Sequence, residues 1–430
     1  MNIKSLLLGS AAALVAVSGA RAADAVVIAE PEPMEYVRVC DVYGEGFFYI
    51  PGTETCLRIH GYVRFDVSGG DLVANRVSGN IISTADLDAD GLITADEVFS
   101  DEFEGPDDSY NTNARFSFRT TTKSETELGT LTTYTETRFN YGDGNRVITE
   151  TPFFNPGVEG GDPTFAGTTI SDSSSTGTSV SLNFAWIQLG GLRVGKDESV
   201  FTTFTGYAGN VIFDDLVPYG PFDTNLISYY FDAGNGFSAV VSLEEGEGTD
   251  EIDDYIPHVV VGARYALAFG AISGVAAYDS QNEEFAGKLR LDVAVNEQFS
   301  AFVMGGYKTD DGDFEDDDDH FDANDGTNFY GNWQGGDCDD GDFSGGNCGD
   351  GFAVWAGASY VFTPQATVNA QVAYDEGENF AANLNVAYEL VPGFTITPEV
   401  AYADNFGDDD FDGNDDDGEF GAIVRFQRSF

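Results

Sequence analysis

Basic residues, histidine and long apolar runs are all scarce in this 430-residue sequence. It has 19 Lys and Arg residues against 74 Asp and Glu residues, a formal net charge of −55 at pH 7. This charge argues against a nucleic-acid partner, because a phosphate backbone requires a basic surface. A hydrolytic enzyme would need a Ser/His or Asp/His constellation, and none of His60, His258 and His320 has a convincing partner nearby in the sequence. The composition therefore argues against an enzyme.

Beyond the first 22 residues, only residues 259–278 offer the twenty or so mostly apolar residues that a membrane-spanning helix needs. Arg264 and several glycines interrupt this run. We therefore favour a β-hairpin in which Arg264 faces inward. The outward residues would be Val259, Val261, Ala263, Tyr265 and Leu267. The scarcity of such runs argues against a helical membrane protein.

The first 22 residues have the pattern of an export signal. Lys4 supplies the charged start, residues 6–17 the apolar core, and residues 20–22 a small-x-small cleavage site. The apolar core is too short to span a bilayer, so we expect the mature chain to begin at Ala23. Without Lys4 and Arg21 it keeps 17 basic residues against 74 acidic ones, a formal charge of −57.

The rest of the sequence is rich in alternating apolar and polar residues. Aromatic residues make up 13% of it, far more than a disordered chain contains. In residues 57–68 one face would hold Leu57, Ile59, Val63, Phe65 and Val67, and the other Arg58, His60, Tyr62, Arg64, Asp66 and Ser68. Period-2 alternation of this kind indicates a strand. A soluble two-layer sheet would alternate in the same way, so the connections must decide the class.

Sixteen candidate strands follow this pattern: 57–68, 113–124, 129–141, 179–189, 192–198, 225–233, 237–246, 257–268, 271–279, 285–296, 298–308, 351–362, 366–375, 379–390, 394–403 and 419–430. Every second connection is a tight turn. The others include the long loops 69–112, 142–178, 199–224 and 309–350. Short turns on one side and long loops on the other are typical of outer-membrane barrels. The sequence therefore predicts an all-β fold: a sixteen-stranded antiparallel transmembrane β-barrel over residues 57–430. It would have short periplasmic turns, long extracellular loops and both ends in the periplasm of a Gram-negative bacterium.

The four cysteines form two local pairs. Cys40 and Cys56 lie in an N-terminal segment, 23–56, that we place in the periplasm or lumen, and Cys338 and Cys348 lie in loop 309–350. Export permits disulfides. The predicted topology puts the pairs on opposite sides of the membrane, so only the local pairing remains of the three connectivities. Four free thiols or a metal site are the alternative, although no CxxC spacing supports zinc.

Several stretches resemble the general porins of alphaproteobacteria of the Brucella and Rhizobium type. They include VCDVYGEGFFYIPGTETCLRIHGYVRFDV (39–67), WIQLGGLRVGKDESVF (186–201), residues 114–139 and 231–246, and much of 351–430. The resemblance covers most strands and fails in the long loops, which are more acidic here. It implies a trimer whose barrel is narrowed by its third long loop and lets small hydrophilic solutes diffuse. We expect outer-membrane lipid and lipopolysaccharide around it and no required cofactor.

The polar faces of the strands supply a basic wall. The inward residues include Arg58, Arg64, Arg115, Arg119 and Arg138. The third long loop, 199–224, carries Asp214, Asp215 and Asp223, with aromatic residues and Gly-Pro turns that could pack it inside the barrel. We interpret the two sets as an eyelet, because opposed charges between low-dielectric walls focus the field on a passing ion. Alternatively, the arginines pair with neighbouring carboxylates and only hold the wall together.

Residues 86–97, DLDADGLITADE, fit the twelve-residue calcium loop. The ligands would be Asp86, Asp88, Asp90, the carbonyl of Leu92, Thr94 and Glu97. A solvated acidic loop is the alternative, since the flanks are at best weakly helical. Residues 408–419 fit the bare pattern, but Asp415 stands at a position that is usually apolar. We interpret that second stretch as a solvated loop.

No Lys or Arg occurs between residues 309 and 423, where Asp runs fill 310–325, 337–342 and 408–417. Such runs usually form solvated loops, and their charge would also attract cations to a pore mouth. The sequence thus predicts a water-filled channel for small hydrophilic solutes and ions, mildly selective for cations. A calcium-binding surface barrel or adhesin with little channel activity is the alternative.

Overall fold

The alternating segments all form strands in the computed structural model of the protein. The structure describes residues 38–70, 72, 80–83, 99–102, 110–142, 146–155, 164–174, 177–252, 255–309, 328–335, 349–405 and 418–430. The strands are β1 Phe48–Tyr49, β2 Cys56–Gly69, β3 Asn80–Ser83, β4 Phe99–Glu102, β5 Tyr110–Thr126, β6 Gly129–Gly142, β7 Arg146–Asn155, β8 Thr164–Ser174, β9 Gly177–Leu189, β10 Leu192–Glu198, β11 Asp223–Asp232, β12 Phe237–Glu244, β13 His258–Leu267, β14 Gly270–Tyr278, β15 Phe285–Ala294, β16 Phe299–Lys308, β17 Gly351–Thr363, β18 Ala366–Asp375, β19 Asn379–Val391, β20 Phe394–Asn405 and β21 Glu419–Ser429. A one-turn helix, α1 Val200–Thr203, follows β10.

Sixteen of these strands form a closed antiparallel barrel, and each overlaps a strand predicted from the sequence. The barrel strands are β2, β5, β6 and β9 to β21, each paired with its neighbour along the chain. Closure comes from β2, which pairs with β5 on one side and with the last strand, β21, on the other. The terminal Phe430 extends this seam, exchanging two backbone hydrogen bonds of 3.1 Å with Gly61. The predicted fold class is confirmed.

Residues 259–278, the long apolar run that follows the first 22 residues, form the β13–β14 hairpin. Val259 pairs with Tyr278, and the turn lies at residues 268 and 269. Val261 and Tyr265 are both 49% exposed on the outer surface, whereas the intervening Arg264 lines a cavity inside the barrel. The described part of the chain contains no helix long and apolar enough to cross a membrane.

The outer surface of the barrel is apolar. Ile59, Val63 and Phe65 of β2 are 47%, 53% and 44% exposed, whereas Tyr62, on the other face of the strand, is 6% exposed. A continuous apolar surface of this kind is costly in water and stable in lipid. The short turns, such as 127–128 and 190–191, lie at the periplasmic end, and the long connections lie at the extracellular end.

Two loops contain strands that the sequence analysis did not predict. β3 and β4 lie within the predicted loop 69–112, and β7 and β8 within 142–178. They form a separate four-stranded sheet in the order β4-β3-β7-β8. β3 and β4 have four residues each, which is too short for alternation to stand out against a polar loop.

The N-terminal segment is tied to the start of the barrel. A disulfide joins Cys40 to Cys56, with a Cα–Cα distance of 6.1 Å, and β1 pairs with the beginning of β2. The first predicted disulfide is therefore confirmed. The second predicted pair, Cys338 and Cys348, and the calcium-like residues 86–97 lie outside the described residues.

Candidate pore constriction

Residues 199–222, here named the inward loop, connect β10 to β11 and fold into the barrel. Its first turn is fixed by Ser199, whose hydroxyl caps α1 by accepting a hydrogen bond from the Phe201 amide at 3.1 Å. The Ser199 hydroxyl and the Val200 amide both donate to the Glu244 carboxylate of β12, at 2.7 and 2.9 Å. Val200 and Phe201 are fully buried as a result. The predicted packing of the third loop inside the barrel agrees with this arrangement.

The tip of the inward loop is held by a second buried carboxylate. Glu399 of β20 accepts hydrogen bonds from the backbone amides of Ile212 and Phe213 at 2.5 and 2.8 Å. It also accepts one from the Asn385 side chain at 2.8 Å. Gln371 donates to the Asp214 carbonyl at 2.9 Å. The loop therefore follows the inner wall from β12 to β20.

A second segment, residues 328–335, also lies inside the barrel and is named the second insert. The Tyr330 hydroxyl donates to Glu244 at 3.2 Å, and the Asn332 side chain accepts from the Gly220 amide of the inward loop at 2.8 Å. Trp333 packs against Trp355 of β17 and is fully buried. The sequence analysis placed these residues in one acidic extracellular loop, 309–350. That loop does connect β16 to β17, and within it the aromatic residues of 328–335 complete a core inside the barrel, which the sequence analysis did not predict.

The predicted arginines Arg58, Arg64, Arg115, Arg119 and Arg138, here named the arginine wall, lie on the neighbouring strands β2, β5 and β6. Two of them meet at one carboxylate. Glu136 is fully buried and accepts from Arg138 at 2.8 Å and from Arg119 at 3.2 Å. These two arginines thus satisfy a buried carboxylate, as the alternative interpretation expects, and their part in the pore lining stays a prediction.

Arg64 and Arg115 differ from that pair. They stand directly opposite each other across β2 and β5. Arg64 donates through Nε to Gln427 at 2.9 Å, and Arg115 donates through Nε to Asn140 at 2.6 Å. Neither forms an ion pair with a carboxylate among the residues that the structure describes. Arg58 is exposed nearer the periplasmic end.

The three predicted loop aspartates have different surroundings. Asp215 is exposed, whereas Asp214 is half-buried and accepts a hydrogen bond from the Tyr219 hydroxyl at 2.8 Å. Burial, with a smaller contribution from the charge of Asp215, raises the pKa of Asp214 to about 6. Asp223 begins β11 and pairs with Lys196 of β10, so it belongs to the wall rather than to the loop.

Two residues that the sequence analysis missed approach the arginine wall from the loop side. The Tyr207 hydroxyl donates to Glu198, and Arg138 lies within the electrostatic reach of both. Burial and the Glu198 contact raise the pKa of Tyr207 above its ordinary value, so its hydroxyl stays protonated. Glu198 ends β10 just where the backbone turns inward, and alternation could not assign it a side.

A cavity of about 490 Å³ lies beside the inward loop, between Tyr207, Asn210 and the walls of β13 to β18. Arg264 and Arg290 line it. Arg290 donates to Asp292 at 2.8 Å and to the Tyr207 carbonyl at 2.5 Å, and its guanidinium lies 4.0 Å from the Phe302 ring centroid. Basic groups thus stand on both sides of the inward loop.

Comparison with known proteins gives a consistent result. The porin subfamily model matches residues 24–422. The chain is 47% identical over 442 residues to porin Omp2b of Brucella neotomae and to porin Omp2b of Brucella abortus (strain 2308), and the alignments cover 100% of the chain and of each relative. The outer membrane channel DcaP of Acinetobacter baumannii superposes with a TM-score of 0.57 at 14% identity, covering 89% of this chain and 99% of that chain. This last likeness concerns the fold alone.

Proposed function

This chain belongs to the porin subfamily, and we propose that its narrowest point lies between the arginine wall and the inward loop. It is a channel of the Gram-negative outer membrane for the passive diffusion of small hydrophilic solutes, and not an enzyme. The observation that carries the proposal is the fixed course of the inward loop along β12 to β20. This course leaves the lumen beside β2, β5 and β6 for solutes.

The pore lining that we propose has charges of both signs. Arg58, Arg64, Arg115, Arg119 and Arg138 line one side, and Asp214 and Asp215 line the other. Glu136 offsets part of the arginine charge, since Arg119 and Arg138 share it. The extracellular loops carry most of the acidic residues. Together these charges support a mild preference for cations.

Reconstitution of the purified protein in planar bilayers tests the channel function. We expect stepwise insertion of large, open, ohmic channels in KCl, because a diffusion pore needs no ligand to open. We propose a trimer from the family resemblance. Each insertion of a trimer would add the conductance of three equal pores at once. Folded protein that leaves the membrane silent would contradict the pore and favour a surface barrel.

We propose that the described part of segment 23–56 lies at the periplasmic rim, after cleavage of residues 1–22. The Tyr43 hydroxyl donates to Glu125 at 2.8 Å, next to the turn between β5 and β6. Lys123 lies 5.6 Å from the Tyr43 ring centroid. These contacts support a periplasmic place for the disulfide-bonded segment. Around the apolar outer wall we propose lipid and lipopolysaccharide as partners.

We also propose weak calcium binding at residues 86–97, with Asp86, Asp88, Asp90, Leu92, Thr94 and Glu97 as ligands. The expected Kd is on the order of 10⁻⁴ to 10⁻³ M, as in extracellular calcium modules. Calorimetry should detect binding in the wild type and a loss in Asp86→Ala/Glu97→Gln. The matched control is Asp408→Ala/Glu419→Gln in the second stretch, which should leave the heat unchanged. Equal heats in all three proteins would show that residues 86–97 do not bind calcium.

A further inference from the structure

We propose that Arg64 and Arg115, with Arg425 nearby, form a subsite on the lumen wall that binds small solutes carrying a phosphate group. The inference rests on the diffusion function proposed above, because solutes reach this wall through the lumen. It goes further in assigning the wall a ligand class.

The first observation is an unfavourable charge arrangement. Arg64 of β2 pairs in register with Arg115 of β5, so two guanidinium side chains are direct neighbours on one face. Like charges directly opposite each other destabilise a sheet. Arg425 of β21 stands opposite Asp66, diagonally from Arg64, and its charge also acts on Arg64. A bound anion would relieve this repulsion.

The second observation is how little of the charge is compensated. Asp66 is the carboxylate of the group, and both of its oxygens are taken by Arg425, at 2.9 and 3.0 Å. Arg64 and Arg115 each use Nε for a neutral amide oxygen. Their terminal nitrogens donate to no residue in the described part of the chain. Two guanidinium groups therefore keep donors for a ligand.

The third observation is that these side chains are held in place before any ligand arrives. The Arg64 guanidinium lies 4.7 Å from the Tyr62 ring centroid, a cation–π distance. Asn140, which fixes Arg115, is itself fixed by a hydrogen bond to Ser179 at 3.1 Å. Preorganised donors lose less entropy on binding. Arg119 and Arg138 are less suited to bind an anion, because the buried carboxylate of Glu136 already offsets their charge.

The ligand class follows from guanidinium chemistry. Planar guanidinium forks bind phosphate in bidentate geometry, and two of them match a dianion better than chloride. Phosphate monoesters and inorganic phosphate are therefore the ligand class that the two guanidinium groups fit.

Inorganic phosphate is the probe for the test. It is titrated against wild-type channels in planar bilayers at constant ionic strength, and the half-blocking concentration of the current is measured. In Arg64→Gln/Arg115→Gln this concentration should rise by at least roughly a hundredfold, because two charge-assisted contacts are lost. Arg64→Lys/Arg115→Lys keeps the charge without the forks and should also lose most of the block.

The matched control is Lys123→Gln/Arg193→Gln, which removes two basic groups elsewhere in the barrel and should leave the block as in the wild type. Equal block in the wild type and the glutamine variant would overturn the subsite. Full block in the lysine variant would also overturn it, since attraction by charge alone would then suffice. If no variant conducts, calorimetry of the folded protein with phosphate decides: heat lost in the glutamine variant supports the subsite, and no heat in the wild type overturns it.

Discussion

Replacing Glu399 with alanine is expected to free the tip of the inward loop and to raise both the conductance and the current noise of the channel. Glu399 accepts two backbone hydrogen bonds from the loop, at Ile212 and Phe213. A hydrogen bond to a charged group contributes about 1.5–3 kcal/mol. Losing two of them shifts the equilibrium between anchored and released loop by roughly two to four powers of ten. Single-channel recording measures the result.

The control for this prediction is Glu389→Ala. Glu389 is on the neighbouring strand β19, and its carboxylate accepts a hydrogen bond from the Gly393 amide at the periplasmic turn and has no contact with the inward loop in the described part of the chain. We expect wild-type conductance from it. If Glu399→Ala gave steps as quiet and as small as the control, the carboxylate would not be what holds the tip.

Weakening the contact between the second insert and the inward loop should also loosen the loop, but with a smaller effect on the current. Asn332→Ala removes one hydrogen bond to the inward loop, at Gly220, and leaves the Glu244 and Glu399 anchors in place. We expect more frequent current fluctuations without a lasting rise in conductance. The comparison separates a loop held at several points from one held at its tip alone.

Selectivity is expected to shift toward anions in Asp214→Asn/Asp215→Asn. At low salt the acidic loops should make the wild type prefer cations. At physiological ionic strength the Debye length is about 8 Å, so distant loop charges are screened while charges at the constriction still act. The preference should therefore weaken as salt rises, and removal of two aspartates there should matter most at high salt. Reversal potentials in KCl gradients measure both effects.

The raised pKa of Asp214 predicts that the ion selectivity depends on pH. The pKa of Asp214 is raised to about 6, chiefly by burial, so its carboxylate is charged at pH 7 and neutral at pH 5. Acidification across this range should move the wild type toward anions. The change should be smaller in Asp214→Asn, where the group no longer titrates.

The control for both selectivity predictions, Asp232→Asn/Glu297→Gln, removes two acidic residues at the periplasmic end of the barrel and should keep wild-type selectivity. A double mutant at 214 and 215 with unchanged reversal potentials would show that these residues do not line the constriction.

The barrel itself could be predicted from local sequence, because lipid on one side and water on the other impose period-2 alternation on every strand. The strand count, the closing order and the β13–β14 hairpin follow from that alternation and from the lengths of the connections. The inward residues of β2, β5 and β6 could be predicted for the same reason. Alternation does not tell which side chain on the next strand an arginine meets.

Only the tertiary structure decided which side chains the arginines contact on neighbouring strands. Register places Arg119 and Arg138 on one carboxylate, Glu136, and sets Arg64 opposite Arg115. The second insert was invisible in the sequence, because its few aromatic residues lie between Asp runs and become core only when the barrel closes around them. Sequence by itself thus determined which face each strand residue takes, since that depends on solvent and local geometry. The course of the inward loop and the pairing of the charges depend on contacts between residues far apart in the chain, such as Phe213 and Glu399, and only the closed barrel brings these together.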